Sequence, residues 1–227
     1  MKITYIGHSG FFITADNAGV LIDPFITGNP MAVADFDKNS VKDILVTHGH
    51  FDHLGDSVKI AIDTGATIGA VFELATYCKN MGAKTTGANI GGEIRLQNAS
   101  AKMYPAFHSS ADNDGTHLGC PCSFVIKIGG KTIYHAGDNC LNQEMKTIGE
   151  MHKIDIAFLP IGGHFTMGAD DAIIAAKWLN ADIIIPMHYN TFPPIKADVS
   201  EFENKVAKAG KKCIVMKPGE TIDIKDE

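Results

Sequence analysis

The segment HGHFDH at residues 48–53 places three histidines and one aspartate within six positions. It follows directly on the apolar run at 43–47, so the end of a strand presents the whole group from one short loop. Histidine nitrogen and aspartate oxygen are ligands that suit zinc, manganese or iron. His48 and His50 point the same way in an extended loop, whereas Asp52 and His53 follow too closely to join the same tetrahedron without strain. The spacing therefore indicates two metal ions side by side.

Three further residues of metal-binding type follow short apolar runs later in the chain. They are His108 in YPAFH, Asp138 in IYHAGD and His188 in IIIPMH. Each position is the one expected of a ligand at the end of a strand. A lone histidine is usually a surface residue or a satisfied core residue, so neither His108 nor His188 would predict a metal site by itself. Together with the segment at 48–53, the set predicts a metal centre.

The order of these residues resembles the H-x-H-x-D-H signature of the metallo-β-lactamase superfamily, followed by its separate histidine, aspartate and histidine. The resemblance matches all seven ligand positions and spans residues 1–227. A finer match, to small metal-dependent hydrolases related to ascorbate-6-phosphate lactonase, is carried by YIGHSGFF at 5–12, LIDPF at 21–25 and PIGGHFTM at 160–167. The resemblance implies one α/β domain over residues 1–227, folded as a four-layer αββα sandwich (the metallo-β-lactamase fold).

The resemblance also implies two ligand sets that share one bridging carboxylate. The sets are, for the first ion, His48, His50 and His108; for the second ion, Asp52, His53 and His188; and, as the bridge, Asp138. The excess positive charge of two divalent ions lowers the pKa of a water between them and supplies a hydroxide near neutral pH. The expected function is therefore a metal-dependent hydrolase that cleaves a small ester, lactone or phosphoester. Zinc is the first choice of metal, with manganese or iron as alternatives.

Four residues are predicted to assist this chemistry. Asp52 is assigned a catalytic role beside its role as a ligand. His164 follows an apolar strand and a glycine pair, so it is predicted to bind substrate or donate a proton, with support of the ligands as the alternative. His8, after the first strand, is predicted to bind substrate, with a capped turn histidine as the alternative. Asp23 is expected to hydrogen-bond a metal-bound histidine and fix its tautomer.

The loop over residues 109–122 contains Asp, Asn and Gly and is predicted to form a mobile rim over the metals. Its last part, HLGCPC at 117–122, carries two cysteines that depart from the family pattern. A separate metal site at this run is an alternative, but the spacing is too tight for a zinc knuckle and no second cysteine pair follows. The sequence does not assign a role to Cys120 and Cys122.

The amino-acid composition restricts the kinds of binding partner and the location that we expect for this protein. The 20 lysines and arginines against 26 aspartates and glutamates give a net charge of −6, so we expect a small-molecule substrate and no nucleic acid. The positive well of two metal ions favours small, anionic or polar substrates. We expect no membrane span, because no apolar stretch approaches roughly 18 residues, and no signal peptide. Five cysteines without secretory context predict free thiols in the cytoplasm. The sequence leaves a homo-oligomer open.

Two other functions compete with hydrolysis of a small molecule. The first is a phosphodiesterase acting on nucleotides or RNA, which the acidic balance and the lack of a long basic insertion disfavour. The second is a non-catalytic metal-binding protein, which the intact ligand set disfavours. Iron-binding redox members of the superfamily typically carry glutamate where this chain has His50, which also favours hydrolysis.

Hydrophobic periodicity predicts how the chain places these residues. Strands are expected over residues 2–7, 11–14, 20–23, 43–47, 66–71, 93–97, 101–107, 123–128, 131–135, 154–160, 182–187, 213–216 and 221–224. Helices are expected over residues 55–63, 72–81, 141–151, 170–179 and 198–209. The pair Gly129–Gly130 predicts a tight hairpin, because glycine permits the positive φ angles of a primed turn. A weak internal repeat links two hairpins whose second strands lead to Asp23 and to Asp138.

Overall fold

Two seven-stranded sheets form the frame of the protein. The computed structural model describes residues 1–16 and 18–225; Asn17, which falls in the turn between the second and third strands, lies outside the described residues, as do Asp226 and Glu227. The first sheet has the order β14-β1-β2-β3-β4-β5-β6. Its strands are β1 Lys2–Gly7, β2 Gly10–Ala15, β3 Ala18–Ile22, β4 Val41–Leu45, β5 Thr67–Val71, β6 Lys84–Ala88 and β14 Thr221–Asp223.

The second sheet repeats the plan of the first, with antiparallel strands at one side and parallel strands at the other. Its order is β13-β12-β11-β10-β9-β8-β7. Its strands are β7 Glu93–Arg95, β8 Ala99–Pro105, β9 Cys122–Ile128, β10 Lys131–His135, β11 Ile156–Pro160, β12 Ile183–Met187 and β13 Lys212–Cys213. The turn between β9 and β10 is the predicted one, with φ of 55° at Gly129 and 74° at Gly130. The two hairpins of the weak repeat, β2–β3 and β9–β10, occupy corresponding places in the two sheets.

Helices cover the outer faces of both sheets. They are α1 Phe51–Leu54, α2 Ser57–Thr64, α3 Phe72–Asn80, α4 Glu144–Met151, α5 Ala169–Leu179 and α6 Val199–Lys208. The helices α2 and α3 pack on β4, β5 and β6, whereas α5 and α6 pack on β11 and β13. The inner faces meet in a continuous apolar core, in which Phe11 of β2 stacks on Phe158 of β11 with ring centroids 4.0 Å apart. The predicted αββα sandwich is thus confirmed.

Several predicted boundaries were wrong for local reasons. The predicted helix over 55–63 is two helices, α1 and α2, because Gly55 breaks the chain with φ of 44° where a Cβ would meet the backbone of Pro24. The strand β6 was missed, because its sequence KTTGA has no apolar run and forms a sheet edge. The helix predicted from residue 141 begins at Glu144, whose N–H is accepted by the Asn142 side chain.

The carboxyl ends of the parallel strands lie at a common edge of the sandwich. Strands β4, β10, β11 and β12 all run parallel to a neighbour, so the residues that follow them emerge together. In open α/β sheets, ligands bind outside the carboxyl ends of such strands. Among the described residues, no helix is both long and apolar enough to cross a membrane.

Candidate metal centre

Strands of both sheets deliver the predicted ligands to one edge of the sandwich. In chain order, β4 leads to His48, β8 to His108, β10 to Asp138 and β12 to His188. The remaining ligands lie at or in the short helix α1, where His50 occupies the N-terminal cap position and Asp52 and His53 lie within the first turn. Because the ligands sit on the ends of rigid strands, their relative positions are fixed by the packing of the two sheets.

Three imidazoles form the first cluster, which consists of His48, His50 and His108. Each offers a nitrogen, and these nitrogens lie within 4.8 Å of one another. The Nε2 atom of His48 is 2.9 Å from the Nδ1 atom of His50. His48 is fully buried, and burial lowers the pKa of its imidazole well below the usual value. Burial likewise lowers the pKa of His108. Burial also lowers the pKa of His50, so all three rings are neutral near pH 7, which is the form that binds a metal ion.

The second cluster consists of Asp52, His53, His188 and His8, whose ligand atoms also lie within 4.8 Å of one another. The Oδ2 atom of Asp52 is 3.9 Å from the Nε2 atom of His188. His8 donates a hydrogen bond of 3.1 Å from Nε2 to the same Oδ2, and its Nδ1 lies 2.9 Å from the Thr191 hydroxyl. Burial and the neighbouring His188 lower the pKa of His8 to about 4, so it is a neutral support for Asp52.

Asp138 lies between the two clusters. Its Oδ1 atom is 3.0 Å from Nε2 of His53, and its Oδ2 atom is 3.2 Å from Nε2 of His188 and 3.3 Å from Nε2 of His108. Burial raises the pKa of this carboxyl, but the imidazoles of His188 and His53 outweigh burial and hold the pKa well below its usual range. Asp138 is therefore an anion that faces members of both clusters, as a bridging ligand must.

Asp23 holds His53 from the side opposite to Asp138. The Nδ1–H of His53 donates to Oδ2 of Asp23 over 2.7 Å, and both residues are fully buried. The hydroxyl and backbone N–H of Thr47 donate to the two oxygens of the same carboxylate, over 2.7 and 2.8 Å. Burial lowers the pKa of His53, but the carboxylates of Asp138 and Asp23 outweigh burial and raise it well above its usual value. Two carboxylates therefore favour a cation at this ring.

Three site residues have a backbone conformation that L-amino acids rarely adopt. The φ angles are 58° at His8, 42° at Asp23 and 53° at His188. Such residues cluster at functional sites, where surrounding interactions compensate for the strain. Here a backbone hydrogen bond of 2.8 Å from the N–H of His188 to the carbonyl of His8 joins the two sheets at the site. His8 and His188, whose imidazoles belong to the second cluster, are thus held together through their backbones.

Unpaired polar atoms test whether these residues fit metal ions. Among the described residues, the buried atoms without a well-aligned hydrogen bond include Nε2 of His53, Oδ1 of Asp138 and Nε2 of His188, although the Asp138 carboxylate lies 3.0 Å from His53 and 3.2 Å from His188. Buried polar groups are rarely left unpaired, because each costs about 1–3 kcal/mol. A cation ligated at these atoms satisfies them together, and imidazole with carboxylate is a donor set for zinc, manganese or iron. The residues therefore fit a metal centre.

His164, by contrast, is exposed and lies outside the described lining of the cleft over the two clusters. Its neighbour Phe165 lines that cleft, and the two rings contact each other edge to face with centroids 4.6 Å apart. The catalytic role of His164 stays a prediction.

The loop over residues 109–122 is anchored beside the ligands. The N–H of Gly49 donates to the Ser110 hydroxyl over 3.1 Å, and Leu118 is buried against Gly49, where a Cβ would overlap it. Cys122 is buried and its thiol contacts the carbonyl of Thr47, whereas Cys120 is exposed. The two thiols therefore do not face a common point, and neither belongs to a candidate metal cluster of the described residues.

Asn139 is a supporting residue that the sequence analysis missed. Its side-chain oxygen accepts the N–H of Phe107 over 3.0 Å, and its backbone carbonyl accepts the N–H of Met167 over 2.9 Å. It thus fixes the segments that carry His108 and the cleft wall at Phe165. Its only sequence signal is its place next to Asp138, which is too weak to identify it.

Similarity to known proteins agrees with this site. The chain matches the beta-lactamase superfamily domain over residues 2–188. It is 47% identical to a UPF0173 metal-dependent hydrolase of Geobacillus thermodenitrificans, over 99% of this chain and 100% of the relative. It is 44% identical to a UPF0173 metal-dependent hydrolase of Pelotomaculum thermopropionicum, with the same coverage. The solved structure of Igni18, a metallo hydrolase of Ignicoccus hospitalis, is 42% identical with a TM-score of 0.91, over 100% of this chain and 99% of that one.

The chain therefore belongs to the metallo-β-lactamase superfamily and, within it, to the UPF0173 metal-dependent hydrolases. It is an enzyme that uses a divalent metal cofactor for hydrolysis. The finer relation to ascorbate-6-phosphate lactonase stays a prediction.

Proposed function

We propose that this enzyme hydrolyses a small ester, lactone or phosphoester with two divalent transition-metal ions, with zinc as the first choice and manganese or iron as alternatives. One observation carries the proposal: seven imidazole and carboxylate side chains converge at one edge of the sandwich, where Asp138 lies between the two clusters. Ions held there would supply a nucleophile from water near neutral pH and polarise a carbonyl or phosphoryl oxygen. The residues that would hold them are, for one ion, His48, His50 and His108; for the other, Asp52, His53 and His188; and, between them, Asp138.

The surrounding side chains orient the ligands toward the site, and a metal ion at His53 would take the place of the proton that its raised pKa retains. Asp23 accepts the Nδ1–H of His53, so the Nε2 lone pair of that ring faces Asp138 and the site. His8 donates to Asp52 and holds its carboxylate toward His188. The imidazoles next to Asp52, with His8 first among them, outweigh burial and keep the pKa of its carboxyl below the usual range. In our proposal Asp52 also orients the attacking water.

The proposed partner is a small-molecule substrate rather than a nucleic acid or a membrane. The net charge of −6 supports this, since proteins that bind nucleic acid usually present a basic surface. We also propose a cytoplasmic location, which the five free cysteines support, because reducing compartments keep thiols unpaired. A homo-oligomer remains compatible with these features.

We expect the protein, purified without added metal, to contain close to two transition-metal ions per chain. Removal of the ions with a chelator should abolish hydrolysis, because the attacking water then keeps its ordinary high pKa. Elemental analysis measures the content, and a panel of lactones, carboxyl esters, thioesters and phosphodiesters measures activity. Add-back of zinc, manganese or iron to the chelated protein identifies the metal that restores turnover. A single tightly held ion with full activity would contradict the two-ion proposal.

We expect His164→Ala to leave the metal content unchanged and to lower turnover by about 10²-fold, the usual contribution of a proton donor. Because His164 is exposed, its replacement should not disturb folding, so turnover reports its role directly. Turnover and metal content are measured side by side on a confirmed substrate, with His152→Ala as a control for loss of a partly exposed histidine outside the cleft. Unchanged turnover in His164→Ala would remove this residue from the mechanism.

A further inference from the structure

The cleft above the two clusters of candidate ligands has apolar walls and a polar floor. It has a volume of about 580 Å³, and imidazole and carboxylate groups form its floor. Its walls carry three phenylalanines and a proline, namely Phe51, Phe165, Phe192 and Pro194. Phe51 is 52% exposed and Phe165 is 54% exposed, although large apolar side chains usually avoid water. Exposed apolar groups gathered at one site indicate a surface that is covered by a ligand.

One wall is a connected set of aromatic rings. Phe25, which is buried, contacts Phe51 edge to face with centroids 5.6 Å apart and contacts Phe192 with centroids 6.2 Å apart. Phe192 also contacts the ring of His8 at 5.7 Å, so this wall joins the second cluster directly. Phe51 lies between His50 and Asp52 in the chain, and all three residues line the cleft.

The remaining aromatic residue of the cleft lining is Phe165, on the loop between β11 and α5. The loop is closed by a hydrogen bond of 3.2 Å from the N–H of Gly163 to the carbonyl of Met167, and Asn139 accepts the N–H of Met167. These bonds tie the loop to the segment that follows Asp138. Phe165 therefore faces the cleft from a position set by the site itself.

The described residues of the cleft walls include no cationic side chain. Among the described residues that line this cleft, none is a lysine or an arginine. A phosphate or carboxylate at the far end of a substrate would therefore find no cation beyond the metal floor, although such groups are usually recognised by arginine or lysine. The anionic or polar preference predicted from the charge of the metals thus does not extend to the cleft walls.

We propose that the natural substrate is a neutral carboxyl ester or lactone that carries an apolar alkyl or aryl group. Its carbonyl lies over the two clusters of candidate ligands, and the apolar group lies between Phe165 and the wall formed by Phe51 and Phe192. This inference rests on the proposed hydrolase function and names its substrate class. Water adds to the carbonyl carbon, the bond from that carbon to the ester oxygen breaks, and the leaving oxygen takes a proton; the products are a carboxylic acid and an alcohol, or one hydroxy acid from a lactone.

The test is a series of p-nitrophenyl esters from acetate to hexanoate, with a phosphorylated sugar lactone as the anionic comparison. Full burial of one methylene group is worth about a fourfold gain and partial burial about twofold, so kcat/KM should rise at least about tenfold across the series. The variants Phe165→Ala and Phe192→Ala should flatten this rise. Phe72→Ala is the matched control, because Phe72 is 61% exposed on α3 and lies outside the cleft lining. A flat series in the unaltered protein, or faster turnover of the phosphorylated lactone, overturns the proposal.

Measuring the binding of reaction products distinguishes a failure of the inferred substrate class from a failure of the proposed hydrolase function. Calorimetry with acetate, butyrate and hexanoate measures whether the affinity rises with chain length, without any need for turnover. Absence of hydrolysis with a rising affinity would contradict the proposed function and support the apolar pocket. Hydrolysis with an affinity that does not depend on chain length, or depends on it equally in Phe165→Ala, would contradict the pocket and leave the hydrolase function intact.

Discussion

Asp138→Ala is expected to weaken the binding of both metal ions and to lower kcat/KM by at least about 10³-fold. The carboxylate faces members of both clusters, at 3.0 Å from His53 and at 3.2 and 3.3 Å from His188 and His108. Metal ions contribute several kcal/mol to transition-state stabilisation, and each 1.36 kcal/mol corresponds to a tenfold change in rate. Elemental analysis after gel filtration measures the ions, and ester hydrolysis measures the rate.

Asp52→Ala provides the comparison that makes this result specific. Its carboxylate contacts His8 and His188 and belongs to the second cluster alone. We therefore expect Asp52→Ala to lose one ion and to keep the other at His48, His50 and His108. If both variants lose the same single ion, Asp138 does not bridge the two positions.

The convergence of the seven candidate ligands could be predicted from the sequence, because four of them lie within six consecutive positions. Residues 48–53 supply four of the seven groups, and each of the other three follows an apolar strand that fixes where it emerges. The structure brings all seven side chains to one edge of the sandwich. The site is thus encoded by residue type and strand order.

The supporting contacts could not be predicted to the same degree, because they depend on packing between the two sheets. His8 reaches Asp52 through a backbone with φ of 58° and a hydrogen bond between distant strand ends, which no local pattern shows. Asn139 holds two loops through one side-chain bond and one backbone bond. Phe165 was overlooked beside His164, because the direction of each side chain is set by the loop and not by residue type.

The secondary-structure elements also differ in how well the sequence predicts them. Segments with strong apolar periodicity, such as β9, β10 and β12, were predicted to within a residue of their bounds. The polar edge strand β6 was missed because its place depends on pairing with β5 and on packing against α3. Edge strands bury fewer side chains, so their sequences carry a weaker signal.

Asp23→Asn is expected to lower the affinity for the ion at the second cluster by about 10- to 100-fold, the usual effect of removing a partner that orients a ligand. Asp23 accepts three hydrogen bonds, from the N–H and hydroxyl of Thr47 and from Nδ1–H of His53. If the asparagine keeps its oxygen on the Thr47 N–H, its NH₂ group faces His53 and shifts the ring proton to Nε2, which then cannot ligate. If the amide turns over, its NH₂ group faces the Thr47 N–H as a second donor.

The matched control is Asp43→Asn, in the middle of β4 and outside the candidate metal clusters of the described residues. Asp43 is also buried and accepts the N–H of Gln97, and burial raises its pKa, so loss of its charge should be tolerated. Metal titration by calorimetry, with thermal unfolding in parallel, separates affinity from stability. We expect Asp23→Asn to weaken one of two binding events while the other keeps its affinity, and Asp43→Asn to change neither. Wild-type affinity for both ions together with unchanged thermal stability in Asp23→Asn would show that the Asp23 carboxylate does not prepare His53 for metal, because an amide turned toward His53 by its oxygen would leave two donors facing each other at Thr47 and lower the stability.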